Sequence, residues 1–190
     1  MNAPFIADRT FVNEDFTSSR LKKGDYENCV FEGCLFKEGY LDNQNFMECE
    51  FVNCDLTNSN IKHTIFKETS FKGCKLTGLR FEECNHLLLS IRFVDCNMTL
   101  TSFNGLALKG TFFSNCILQE SDFTDSDLSF AQLPYCNLKK AIFENTVLHQ
   151  TDFTESIEID IDPALNQLKK TKFSKENVIG LLKKYDIVVT

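Results

Sequence analysis

The residues of this sequence that could do chemistry are nine cysteines, three histidines and a dense group of carboxylates between residues 120 and 162. Six cysteines, Cys34, Cys54, Cys74, Cys96, Cys116 and Cys136, recur at a spacing near 20 residues. A column of thiols could hold a soft metal or act in redox exchange. No Cys-x-x-Cys pair is present, however, and the positions in phase with these cysteines also carry Ser, Thr and Ala, so small size is the shared property. No metal or cofactor is expected, and the odd total of nine is expected to stay as free thiols. The carboxylates are Glu120, Asp122, Asp125, Asp127, Glu144, Asp152, Glu155, Glu158, Asp160 and Asp162, against only Lys139 and Lys140. This segment carries the whole of the net charge of -7, which speaks against direct nucleic-acid binding and for a surface that meets a basic partner. His63, His86 and His149 share no site with a Ser/Asp pair, and no glycine-rich phosphate loop occurs. A catalyst is not expected.

The elements that must position these residues follow from a period of five. Large apolar residues run from Ile6 through Phe11, Phe16, Leu21, Tyr26 and Phe31 to Phe81, and again, two residues out of phase, from Leu88 through Phe93 to Phe153. Fifteen of the 19 Phe sit on these centres, and nothing of this period fits the 3.6 of a helix or the 2.0 of a strand. The chain must therefore turn once per repeat. Four repeats close a square coil, so the sequence predicts an all-β fold: a right-handed quadrilateral parallel β-helix. The residue two before each centre should point inward at a corner, and it is Cys, Ser, Thr or Ala in 20 of the 30 repeats, in an unbroken run from Thr111 to Thr151. Every fourth repeat then stacks, giving a ladder of Phe11, Phe31, Phe51, Phe71, Phe93, Phe113, Leu133 and Phe153.

Two interruptions organise the chain. Glu82, Glu83, Cys84, Asn85, His86 and Leu87 supply two extra residues, so a loop is expected at about 82–88, either as a tolerated insertion or as a contact surface. After Phe153 the period stops, which divides the chain into a β-helix over 1–158 and a tail over 159–190. Ser174 can cap a helix whose apolar face is Val178, Ile179, Leu181, Leu182 and Tyr185, and Ile187, Val188 and Val189 read as a short strand. Such a capping helix would close the coil and, with apolar surface to spare, support a homodimer. Neither a secretory leader nor an apolar run long enough to span a membrane is apparent, so a cytoplasmic protein is expected.

Triplets such as Cys54-Asp55-Leu56, Ser121-Asp122-Phe123 and Cys136-Asn137-Leu138 resemble the signature of the pentapeptide-repeat family, over about residues 6 to 156. The tail residues Asp160-Ile161-Asp162-Pro163, Asn166, Leu168, Phe173, Leu181-Leu182 and Ile187-Val188-Val189 resemble the C-terminal segment of the quinolone-resistance (Qnr) proteins and of the microcin immunity proteins that guard DNA gyrase. That resemblance implies a tail-to-tail dimer and an acidic rod that imitates duplex DNA on a type II topoisomerase. On it, Glu120, Asp122, Asp125, Asp127, Glu144, Asp152 and Glu155 would contact the partner. The alternative is an interaction or structural rod with no topoisomerase partner.

Overall fold

The structure is a computed structural model that describes residues 4–188. The chain winds as a right-handed, four-sided, all-parallel β-helix. One side is a four-stranded sheet of β1 (Phe5–Ala7), β3 (Asp25–Glu27), β5 (Asn45–Met47) and β7 (Ile65–Lys67). The adjoining side is a six-stranded sheet of β2 (Thr10–Val12), β4 (Val30–Glu32), β6 (Glu50–Val52), β8 (Thr69–Lys72), β9 (Ile91–Val94) and β10 (Phe112–Ser114). The other two sides, and all four beyond β10, pair through single-residue parallel bridges such as Asp122↔Ile142 and Asn137↔Ile157. Among the described residues no helix is long and apolar enough to cross a membrane.

The predicted ladders form the core. Phe31, Phe51, Phe71, Phe93 and Phe113 are fully buried, with rings 4.8 Å apart from Phe31 to Phe51 and 5.2 Å apart from Phe93 to Phe113. A second ladder stacks Phe81, Phe103, Phe123 and Phe143 at 5.2, 5.1 and 5.1 Å. The two ladders meet edge to face, as between Phe103 and Phe113 at 5.8 Å and 84°. Offset stacking within a ladder and T-shaped contact between ladders are the two arrangements aromatic quadrupoles favour.

Two devices make each corner. The residue two past the centre is left-handed, with φ of 53° at Asn53, 52° at Asn58 and 69° at Gly78. Asn and Gly tolerate this conformation best, which explains their recurrence there. The Asp or Asn before the centre accepts the N–H two residues on, as from Thr57 to Asp55 at 3.0 Å and from Thr124 to Asp122 at 2.8 Å. The small inward residues do more than fit: Ser121 Oγ donates to Met98 O at 2.8 Å and Thr151 Oγ1 to Leu128 O at 2.8 Å, satisfying hydroxyls in a dry core.

Three expectations need correction. Leu88 is not a centre but is half exposed, and Leu89 packs against the core instead. Counting back five from Phe93 misses this because Ile91, a large residue in the small inward slot, ends the bulge. The coil also does not stop at Phe153: bridges continue to Asp152↔Lys172, and Phe173 stacks on Phe153 at 5.6 Å. Glu158 hides this in the sequence, since Ile159 and Ile161 fill the interior around it before Leu168 and Phe173 resume the phase. Finally, no capping α-helix forms. Residues 178–181 and 183–185 are two short 3₁₀ turns, because Gly180 is pressed against Ile159 and the Asn177 amide is engaged by Phe153 O at 2.6 Å and Ser156 O at 3.0 Å. Ile187 and Val188 are in no strand, and Val189 lies outside the described residues.

Candidate functional site

The coils place Asp122, Asp125 and Glu144 on one side of the rod, with Glu120 at its corner. Asp122 pairs with Ile142 of the next coil, and Asp125 N–H donates to Glu144 O at 2.8 Å, so these side chains lie on neighbouring coils. Asp122 serves the fold through its Thr124 hydrogen bond, whereas Asp125 occupies a left-handed corner at φ 59°. Lys140 stands 3.9 Å from Glu120, and among the described residues Asp122, Asp125 and Glu144 form no ion pair.

The remaining three acids expected to contact a partner fall elsewhere. Asp127 is on the next side, 3.1 Å from Lys109; burial pushes its carboxyl up, but the hydrogen bonds from Ser129 and the Lys109 charge together bring it below the usual carboxylate range. Asp152 is on the six-stranded side, 3.0 Å from Lys172, and is lowered in the same way against the cost of burial by Thr154 and Lys172. Glu155 lies beside Tyr135, whose pKa its carboxylate raises. The seven acids are therefore not one stripe: four share a side and three are partly spent on turns and lysines.

The two-residue insertion is absorbed at one corner. Phe71 still pairs with Phe93 across it, while Asn85 N–H donates to Thr64 O at 2.8 Å and Ser90 N–H to Phe66 O at 2.9 Å. Arg80 holds Glu82 and Glu83 at 3.0 and 3.2 Å, and a His86 ring nitrogen lies 2.7 Å from Glu82 O. Leu87, at 85 % exposure, projects from this loop. The register places Leu87 in the loop, but nothing in the sequence marks Leu89 rather than Leu88 as the residue that turns inward.

The periodicity, four-sided winding and corner geometry are those of one family. The pentapeptide repeat region family matches residues 44–116, and pentapeptide repeats in eight copies match residues 121–157. The chain is a pentapeptide-repeat protein. Two solved structures of trypsin-treated variants of QnrB1, a plasmid-mediated fluoroquinolone resistance protein, are similar to it at 18% identity. One covers 97% of this chain and 99% of its own with a TM-score of 0.55; the other covers 98% and 100% with a TM-score of 0.50. No curated protein matches this pentapeptide-repeat protein.

The thiol column runs along one corner of the repeat coil. All nine cysteines are buried and unpaired, and among the described residues no cluster of three His, Cys, Asp or Glu side chains is arranged to hold a metal. Burial pushes Cys34 up to about 11, and Cys49 and Cys84 up to about 12. Cys54, Cys74, Cys96, Cys116 and Cys136 are buried as deeply, which favours the neutral thiol, and their sulfurs donate to backbone carbonyls, as from Cys54 to Phe31 O and from Cys74 to Phe51 O, both at 3.2 Å. As protonated thiols in a dry column they are poor nucleophiles. Titration with a thiol reagent at pH 8 should therefore find almost none reactive in the native protein and nine after unfolding without reductant. A count of seven or fewer after unfolding would mean that disulfides or bound metal are present.

Proposed function

We propose that this protein is non-catalytic and binds a type II topoisomerase, DNA gyrase first among them, in the place of DNA, relieving the enzyme of a poison such as a quinolone or a microcin-like toxin. The observation that carries the reading is the side bearing Glu120, Asp122, Asp125 and Glu144: carboxylates held at coil spacing on a rigid rod, three of them free of ion pairs. Fixed charges of one sign on a stiff frame complement a basic groove without reorganisation. The likeness in fold to QnrB1, a fluoroquinolone resistance protein, supports the choice of partner. The corner loop of Glu82, Glu83, Asn85 and His86, with Leu87 projecting, would add an apolar contact at a second point along the rod.

A homodimer through residues 159–190 completes the proposal. Val178, Ile179, Leu182, Tyr185 and Ile187 are exposed on the tail, Ile179 at the edge of an open groove of ≈430 Å³ between the last coil and the tail, while Leu181 packs inward. A second tail covering that apolar surface would bring two acidic sides together near the two-fold axis.

The test is a variant with Glu120→Lys, Asp122→Asn, Asp125→Lys and Glu144→Lys. Asparagine at 122 keeps the hydrogen bond from Thr124, so the coil should fold, at a cost of within about 0.5 kcal/mol per surface change. Association with gyrase should slow by roughly tenfold or more at low salt, and lose much of its salt dependence. If the folded variant protects gyrase in a poisoned-cleavage assay as well as the parent, this side is not the contact. If the parent neither binds nor protects any topoisomerase, the reading as an interaction rod without that partner replaces it.

A further inference from the structure

The corner between the side of Asp127 and the six-stranded side carries a different chemistry. Its stacked residues are Gly110, Phe130, Gln150 and Lys170, joined by N–H···O bonds such as Phe130 to His149 at 2.9 Å and Gln150 to Lys169 at 2.9 Å. Phe130 sits in the left-handed region at φ 63°, where a bulky residue is disfavoured, with its ring 55 % exposed; Leu100 and Tyr135 share both traits at other corners, so the surroundings of Phe130 are what set it apart. The ring takes no part in the interior, which is filled there by Leu128 and Leu133, both fully buried.

Cations surround this ring. Lys109, Lys169, Lys170 and Lys172 line two shallow depressions of ≈400 and ≈500 Å³ that share Phe130 and Lys170. On the flanking side Arg92 lies 4.6 Å from the ring centre of Phe112, one coil before Gln132. Only two carboxylates, Asp127 and Asp152, enter the depressions, and each is tied to a lysine, at 3.1 Å by Lys109 and 3.0 Å by Lys172. Among the described residues no carboxylate pairs with Lys169 or Lys170. The negative total of the chain averages over sides that are chemically distinct. At about 0.1 M salt the Debye length of ~10 Å is shorter than a side of five residues, about 16 Å at ~3.3 Å per residue.

We propose that this edge binds a single strand of nucleic acid, with Lys169, Lys170 and Arg92 tracking phosphates and Phe130 offering a face on which one base stacks. Cations spaced along a groove with an exposed ring between them are the pairing that sequence-tolerant single-strand binding uses; a duplex, whose bases are already stacked, has no use for the ring. The edge looks away from Asp122 and Glu144, so it does not depend on the topoisomerase reading and needs no topoisomerase to test.

The experiment is fluorescence anisotropy of the full chain with a labelled mixed-sequence oligodeoxynucleotide of about 16 residues, at about 50 and 200 mM salt. Saturable binding at the lower salt, weakening steeply at the higher, is expected. Phe130→Asn should weaken it roughly tenfold, and, because asparagine suits the left-handed corner, should leave the thermal midpoint unchanged or raised. Lys169→Gln with Lys170→Gln should reduce the salt slope. The proposal is overturned if no binding is seen at the lower salt, or if Phe130→Asn binds as the parent does. It is equally overturned if a duplex of the same length binds as tightly, or if polyglutamate competes as well as the oligonucleotide, which would identify an acidic protein as the occupant.

Discussion

Phe103→Ala is expected to lower folding stability by about 3–5 kcal/mol, the range for deleting a buried ring from a core that cannot collapse around the gap. The ring is fully buried, stacked on Phe81 at 5.2 Å and Phe123 at 5.1 Å, and meets Phe93 and Phe113 edge to face at 6.0 and 5.8 Å. The backbone around it is clamped on both sides, with Phe103 N–H donating to Asp122 O at 2.8 Å and Ser102 N–H to Leu79 O at 2.8 Å, so the coil cannot contract. Phe103→Leu should cost far less, since Leu133 fills an equivalent slot in the adjoining ladder. In a solenoid each coil is held by its neighbours, so the alanine variant should also unfold less cooperatively, as two blocks separated at the gap. Urea unfolding followed by far-ultraviolet circular dichroism reads both effects. Equal midpoints for the alanine and leucine variants would show that the slot demands the ring itself and that apolar volume alone does not fill it.

Gly180→Ala is expected to release the tail while leaving the coils intact. A Cβ at 180 would stand 2.3 Å from Ile159 O and 2.8 Å from its carbonyl carbon, both backbone atoms of the last coils that have nowhere to move. Overpacking of this kind costs about 1–3 kcal/mol, and here it acts on a tail held by a short set of contacts: the Ile161 N–H to Gly180 O bond at 3.3 Å, the Asn177 amide, the reciprocal Ser174 and Asn177 hydrogen bonds at 2.8 and 3.1 Å, the Lys184–Asp162 ion pair, and Leu181 against the core. Trypsin should then cut at Lys183 and Lys184 far faster than in the parent, with the coil resistant. On the dimer reading, light scattering of the same variant should give the monomer mass. A tail as resistant as the parent's would place its anchorage elsewhere, and a resistant parent that is already monomeric would remove the dimer alone.

The ladders were legible because each inward slot tolerates so little variation: a ring or a branched chain at every fifth residue leaves a period that survives a two-residue phase change. The corners were harder to read. Asn53, Asn58, Gly73 and Gly78 advertise the left-handed position, but Glu120, Phe130, Tyr135 and Lys140 occupy it as well, because a single strained residue costs little inside a coil clamped from both sides. The period of five places Asp122, Asp125 and Glu144 on one side with Glu120 at its edge, because the four-sided winding assigns every residue a side; Asp127 and Asp152, five and thirty residues from Asp122, face other directions by the same count. The tail misled through propensity. A run ending in Leu181, Leu182, Lys183 and Lys184 suits a helix, and tertiary contacts at Asn177 and Gly180 overrode it.

The hydrogen bonds that join coil to coil span a nearly constant distance along the chain: 20 residues from Gly24 to Gln44, and 23 from Ser59 to Phe36, Thr64 to Leu41 and Ser156 to Leu133. For a chain of 190 residues this sets a relative contact order of about 0.1, in the range of helical bundles rather than of β-sandwiches. An all-β protein of this kind needs no distant strand to close its sheets. Each coil can settle on the one before it as the ribosome delivers it, so that the first coils are already ordered when the acidic side is made and the tail, synthesised after them, lands on a finished surface.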